Sequence, residues 1–241
     1  VWERFARELA GTGLRVVAVA LDVRPADAHP FIDASEPEAV LHLIDTTHAT
    51  VRALGFVNVP MAVWFDERGR LARPAEFAAI ERSPLRDAPV PDGLPDRMRR
   101  MLTEVRAITA GDPDAYRAAI ADFAAHGAAS PYALDAEAVA ARSGVRSPDQ
   151  ARAAACFELG QYRFVTDGHA AAVPWWREAH RLDPVNWAAK RQAWTMVTTP
   201  DGAEANDLVQ GPNDVYDGNW LDDVVAAGGG GAYYPPLHLE S

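Results

Sequence analysis

The chain has 241 residues, 49% of them hydrophobic and 24% charged. That balance is ordinary for a globular protein and excludes wholesale disorder or low-complexity architecture. The net charge of −11 argues against a general binder of nucleic acid or anionic membranes. A single cysteine excludes an internal disulfide framework or a Cys-rich zinc site. No apolar run reaches the ~18–20 residues needed to span a bilayer. The charge is unevenly placed: residues 1–90 carry −3, residues 91–199 carry 0, and residues 200–241 carry −8 with no basic residue.

Trp2 to Ala10 places Trp2, Phe5, Ala6 and Leu9 on one helical face, and Gly11 and Gly13 stop the helix. Leu14 to Leu21 is a short β-branched run, the pattern of a strand covered on both faces. A helix is expected from Pro25 to Ala34. Val40 to Ile44 reads as a second strand. Asp45 or Thr46 can cap a helix that runs through Ala49 to Leu54 and ends at Gly55. Met61 to Phe65 reads as a strand, Asp66 to Gly69 as a turn, and Arg70 to Ala72 as the return of a β-hairpin.

This order resembles the later part of a thioredoxin-like α/β domain, most closely the TlpA/ResA group. The residues that carry the resemblance are Leu14–Asp22 (LRVVAVALD), Asp45, and Val51–Leu71 (VRALGFVNVPMAVWFDERGRL). It covers about residues 2–75. It implies a cis Val59–Pro60 step, whose backbone pairs with an extended substrate beside a redox dithiol. Val59 and Pro60 are therefore the candidate substrate-binding residues. The family's Cys-x-x-Cys and central strand have no counterpart in residues 1–241. Both are expected upstream of Val1, with the central strand otherwise supplied by another chain. An unpaired buried strand edge costs ~1–3 kcal/mol per polar group.

Glu81 to Pro95 holds four prolines and reads as a linker. Helices are expected over Asp96–Ala110, from Asp112-Pro113 through Ala125, over Ala133–Arg142, and from a Ser147 cap through Phe164. Ala153 to Pro184 resembles a tetratricopeptide repeat: Ala172, Trp176, Ala179 and Pro184 follow Leu159 at 13, 17, 20 and 25 residues. Gly168 sits in its turn. Asn186 to Met196 supplies a further packing helix. A lone repeat cannot bury its own face, so it must stack on its neighbours.

The tail from Pro200 to Ser241 combines acids, a flexible tetraglycine at Gly228–Gly231, and the aromatic run Tyr233-Tyr234-Pro235-Pro236-Leu237. It reads as an arm that wraps its own domain or docks onto a partner or sister subunit, which leaves a homo-oligomer open. The organisation expected is an α/β thioredoxin-like domain over 1–80, a Pro-rich linker over 81–95, an all-α tetratricopeptide-like domain over 96–199 and an extended C-terminal arm over 200–241.

No His-Glu-x-x-His, P-loop, Gly-x-Ser-x-Gly elbow or dinucleotide fingerprint is present. No metal or cofactor is implied. Cys156, among Ala153-Ala154-Ala155 and Phe157, reads as a core thiol and not as the catalytic residue. Asp45 and His48 stand three apart, where capping by Asp45 outweighs metal binding. Trp175, Trp176, Trp187 and Trp194 read as core and helix-interface residues. Two functions are expected. One is a thiol–disulfide oxidoreductase-like protein acting on a protein or thiol/disulfide substrate, its redox residue lying outside this chain. The other is a non-catalytic adaptor that binds a partner through the helical repeat and the arm. Neither involves nucleic acid or a membrane span.

Overall fold

The computed structural model describes residues 1–35, 39–108, 111–196 and 212–239. It is a mixed α/β structure in which helices dominate. The first part runs α1 (Trp2–Glu8), β1 (Val16–Ala20), α2 (Pro25–Asp33), β2 (Val40–Ile44), α3 (Ala49–Leu54), β3 (Met61–Phe65) and β4 (Leu71–Phe77). β1 and β2 pair in parallel, with Val16 opposite Val40 and Ala20 opposite Ile44. β3 and β4 form an antiparallel hairpin with irregular register around Trp64. These are two separate two-stranded sheets, and β1 does not pair with β3.

The remainder is helical: α4 (Asp96–Ala107), α5 (Pro113–His126), α6 (Ala136–Ser143), α7 (Pro148–Asp167), α8 (His169–Leu182), α9 (Trp187–Thr195) and α10 (Trp220–Ala226). Side-chain caps set several starts. Asp112 accepts from the Asp114 amide at 2.9 Å, Asp135 from Ala138 at 2.8 Å, and Ser147 forms a reciprocal capping box with Gln150. Each satisfies an amide that the helix itself cannot, worth about 1 kcal/mol.

Two cores form, and the Pro-rich segment does not separate them. In the first, Phe5 of α1, Leu9 at its C-cap and Trp64 of β3 meet Tyr116, Ile120 and Phe123 of α5, which follows that segment in sequence. The Trp64 indole donates to the Tyr116 hydroxyl at 3.0 Å, so the buried polar ends of both rings are satisfied. The second core joins Phe157 of α7 and Trp176 of α8 to Trp187 and Trp194 of α9. Trp220 and Val224 of α10, with Tyr233 and Tyr234, complete it. Full burial of one such aromatic contributes about 2–3 kcal/mol. Trp175, by contrast, is 39% exposed.

The arm departs from the extended form expected of it. Residues 220–226 are helical, capped by Asn219, whose side chain accepts from the Asp222 amide at 3.0 Å. Gly228–Gly231 is not a free linker. Gly228 and Gly229 take positive φ, and Gly230 begins a short 3-10 turn with its amide on Glu104 Oε2 at 2.7 Å. A Cβ on Gly230 would overlap the Glu104 carbonyl oxygen, so only glycine admits this approach to α4. Residues 197–211, which include three of the arm's acids, lie outside the described residues.

Candidate functional site

Val59 and Pro60 lie immediately before β3. Their peptide bond is cis, and both residues are exposed. The loop is fixed from three sides. Asn58, fully buried, accepts from the Val59 amide through Oδ1 at 2.9 Å and donates through Nδ2 to the Tyr233 carbonyl at 3.3 Å. The Val57 carbonyl accepts from Ala188 of α9 at 3.0 Å. The Pro60 carbonyl accepts from Ala78, just beyond β4, at 3.3 Å.

The fourth contact comes from the arm. The Tyr234 hydroxyl donates to the Val59 carbonyl, and its ring packs on Phe77 of β4 with centroids 4.2 Å apart. Burial pushes the Tyr234 hydroxyl well above its ordinary pKa, so it stays protonated and able to donate. Beyond it, the His238 carbonyl accepts from Arg73 at 2.5 Å and from Arg142 at 2.9 Å. Upstream, Asp223 accepts from Lys190 at 2.7 Å, and Asp217 pairs with Arg177. Asp217 and Asp223 thus meet cations of the same chain, and the described part of the arm packs in cis over the Val59–Pro60 loop.

Asp45 caps the first turn of α3. Its Oδ2 accepts from the Thr50 amide at 2.7 Å and the Thr50 hydroxyl at 2.6 Å. Burial raises its pKa, but the hydrogen bonds from Thr50, Ala49 and Thr47 outweigh that and hold the carboxyl below its usual range. His48 begins the same helix with a left-handed backbone, φ 54°. It is 2% exposed, with Nδ1 2.9 Å from Gln161 Nε2 and its ring edge-on to Phe157. Burial drives its pKa down to about 4, against a smaller pull from Asp45. Sequence alone gave no signal for the His48–Gln161 pair, whose members stand 113 residues apart.

Cys156 is half-buried on α7. Burial pushes its thiol pKa up, and the Glu178 carboxylate adds to the rise. That is the opposite of what a reactive thiolate requires. Among the described residues no cluster of His, Cys, Asp and Glu could hold a metal ion, and no helix is long and apolar enough to cross a membrane. Comparison of the chain with family models, with curated proteins and with solved structures found no match.

Proposed function

We propose that this chain is a thioredoxin-like redox protein that presents an extended protein substrate at Val59–Pro60 to a nucleophile held outside residues 1–241. The observation that carries the reading is the element order. A parallel β1–α2–β2 unit leads through α3 to an antiparallel β3–β4 hairpin, with the exposed Val59–Pro60 step at its head. The supplied group is a low-pKa thiol or selenol; in the resembled family it is a dithiol. One of its thiolates attacks a substrate disulfide, forming a mixed disulfide as the substrate S–S bond breaks. The second thiol resolves it, so the dithiol is oxidised as the substrate is reduced. Within residues 1–241 the Val59 backbone positions the substrate, and Cys156 takes no part. The α7–α8 pair, resembling a tetratricopeptide hairpin, braces the loop through α9.

The second reading is a non-catalytic adaptor. It is favoured by the Tyr234 hydroxyl, which already occupies the Val59 carbonyl that a substrate backbone would need.

The test is acid-quenched differential alkylation and mass spectrometry of the polypeptide isolated from its source. A redox-active thiol or selenol outside residues 1–241 supports the redox reading. A native protein whose only thiol is Cys156 leaves the adaptor. The 241-residue chain alone should give no turnover in an insulin-reduction assay. Turnover abolished by Cys156→Ser would overturn the assignment of the nucleophile.

A further inference from the structure

A cavity of about 490 Å³ opens between α3, the β3–β4 hairpin and helices α6 to α9. Its volume is in the range of small-molecule sites. Val59 and Pro60 do not line it, so it is independent of the cis-proline loop and of the redox reading.

Depth sorts its walls. His48, Val51, Phe157 and Ala179 are buried and form the inner end, and the half-buried Val57 and Met61 continue it outward. Arg142 and Arg146 are exposed and stand at the mouth.

The charge of this wall is met within the chain. Arg52 pairs with Glu158. Burial raises the carboxyls of Glu76 and Asp183, and the field of Arg142 pulls back on the first and that of Arg146 on the second. Arg142 also donates to the His238 carbonyl, and Arg146 to the Arg52 carbonyl. With cations and acids matched in this way, the wall favours neither an anion nor a cation, and apolar contact is the main source of affinity.

One polar group at the inner end is unmatched. His48 is 2% exposed, yet its Nε2 has no hydrogen-bond partner among the described residues. The state of the ring follows from its other nitrogen. The side-chain amide nitrogen of Gln161, which can only donate, stands 2.9 Å from Nδ1, so Nδ1 accepts. Burial drives the pKa of the ring down to about 4. At neutral pH the ring therefore carries one proton, on Nε2. The inner end thus holds an N–H donor, fixed by Gln161, for which the chain supplies no acceptor. Buried polar groups are ordinarily paired, so such a donor calls for an acceptor from outside.

We propose that this cavity binds a small, uncharged, mainly apolar molecule with one hydrogen-bond acceptor of the ketone or ester class, its apolar body against Val51, Met61 and Phe157 and its carbonyl oxygen accepting from His48 Nε2. Shape and apolar area supply the affinity, and His48 sets the orientation.

The probe is 6-propionyl-2-(dimethylamino)naphthalene, an uncharged ketone. It is compared with N-phenyl-1-naphthylamine, which is uncharged and has no carbonyl, and with 8-anilinonaphthalene-1-sulfonate, which adds a sulfonate to the same rings. Titrations of the full chain by fluorescence, with stoichiometry from calorimetry, should show one saturable site for the ketone. The sulfonate should bind no tighter than the naphthylamine, and a clear preference for the sulfonate would overturn the uncharged ligand. Ala154 lines the cavity from α7. Ala154→Phe should weaken the ketone at least tenfold while circular dichroism stays unchanged, and undiminished binding by the folded variant would overturn the site. His48→Phe keeps a ring without a donor. It should lower the ratio of ketone to naphthylamine affinity at least fivefold, and an unchanged ratio would overturn His48 as the contact. If either variant does not fold, the wild type decides. In nitrogen–proton correlation spectra the His48 ring signals should move further on saturation with the ketone than with the naphthylamine, and equal movement, or none, overturns the proposal.

Discussion

Gly160 of α7 lies so close to the Trp176 indole of α8 that a Cβ built on it would fall 2.5 Å from Cδ1 and 2.6 Å from Nε1. The indole cannot yield easily. It is fully buried and flanked by Phe164 and His169, with ring centroids 5.6 and 6.0 Å away. Gly160→Ala would gain about 1 kcal/mol of helix propensity. Forcing a methyl into a filled contact costs about 1–3 kcal/mol. The clash wins, so Gly160→Ala should lose about 1 kcal/mol in urea denaturation, and Gly160→Val clearly more. A gain in stability for Gly160→Ala would mean that α7 and α8 do not approach this closely.

Stability should fall on mild acidification. Burial drives the pKa of both His48 and His180 down to about 4 in the folded chain, against about 6.5 when unfolded. Between those values the unfolded state holds more protons, so stability declines as pH drops from about 6.5 to about 4 and this contribution ends below that. The loss is at most about 3 kcal/mol per histidine. Glu76 and Asp183, whose carboxyls burial pushes up, act in the opposite sense. The comparison is therefore between wild type and His180→Gln in denaturant titrations at pH 7 and pH 5. The variant should show the smaller pH dependence, and an unchanged slope would count against a buried neutral His180.

Lys190 is 1% exposed at its side chain, bonded to Asp223 and placed over the rings of Trp187 and Tyr216. Asp223 also accepts from the Tyr216 hydroxyl. Removing the carboxylate alone leaves a buried ammonium without its bonded counter-charge, with only the weaker pull of Asp183 remaining. Asp223→Ala should therefore cost about 3 kcal/mol. Lys190→Met, which removes the buried charge and keeps much of the volume, should cost less. If both variants denature at the same urea concentration, the pair is not the anchor of α10.

Arg73 and Glu76 form a second buried pair, at 2.8 Å, with Arg73 1% exposed. Arg73 also donates to the carbonyls of Tyr132 and His238 and lies over the Trp64 ring. Arg73→Met should lose about 3 kcal/mol and free the end of the arm. Limited proteolysis should then cut near residues 236–239 faster than in wild type, and equal cutting rates would remove Arg73 as the clamp.

Tyr234→Phe removes only the hydroxyl that holds the Val59 carbonyl. The expected cost is about 1 kcal/mol, that of one hydrogen bond. Amide hydrogen exchange around Val59 and Met61 should quicken, while Trp176 and its neighbours stay protected.

Much of the local structure was legible in the sequence. β2 and β3 begin and end at the residues that the hydrophobic pattern and the flanking turn indicated, and α3 ends at Gly55 as expected but starts at Ala49 behind His48, later than a cap at Asp45 or Thr46 would place it. The Ser147 cap and the burial of Trp176 between Ala172 and Ala179 follow from the same kind of short-range signal, while the reciprocal bond from Gln150 was added by the structure. These features are decided within a few residues, by the period of apolar side chains and by capping groups next to the backbone they satisfy. What the tertiary structure decided lies at long range. Tyr234 reaches Val59 across 175 residues, His238 reaches Arg73 across 165, and Gln161 meets His48 across 113. No periodicity encodes such meetings, because each depends on where whole helices come to rest once their apolar faces are buried. The same holds for the acidic arm. Composition marked it as charged and aromatic, but only packing turned Asp223 toward Lys190 and laid Tyr234 over the Val59–Pro60 loop, since a buried cation and an unpaired carbonyl are satisfied by whatever partner the folded chain brings within reach.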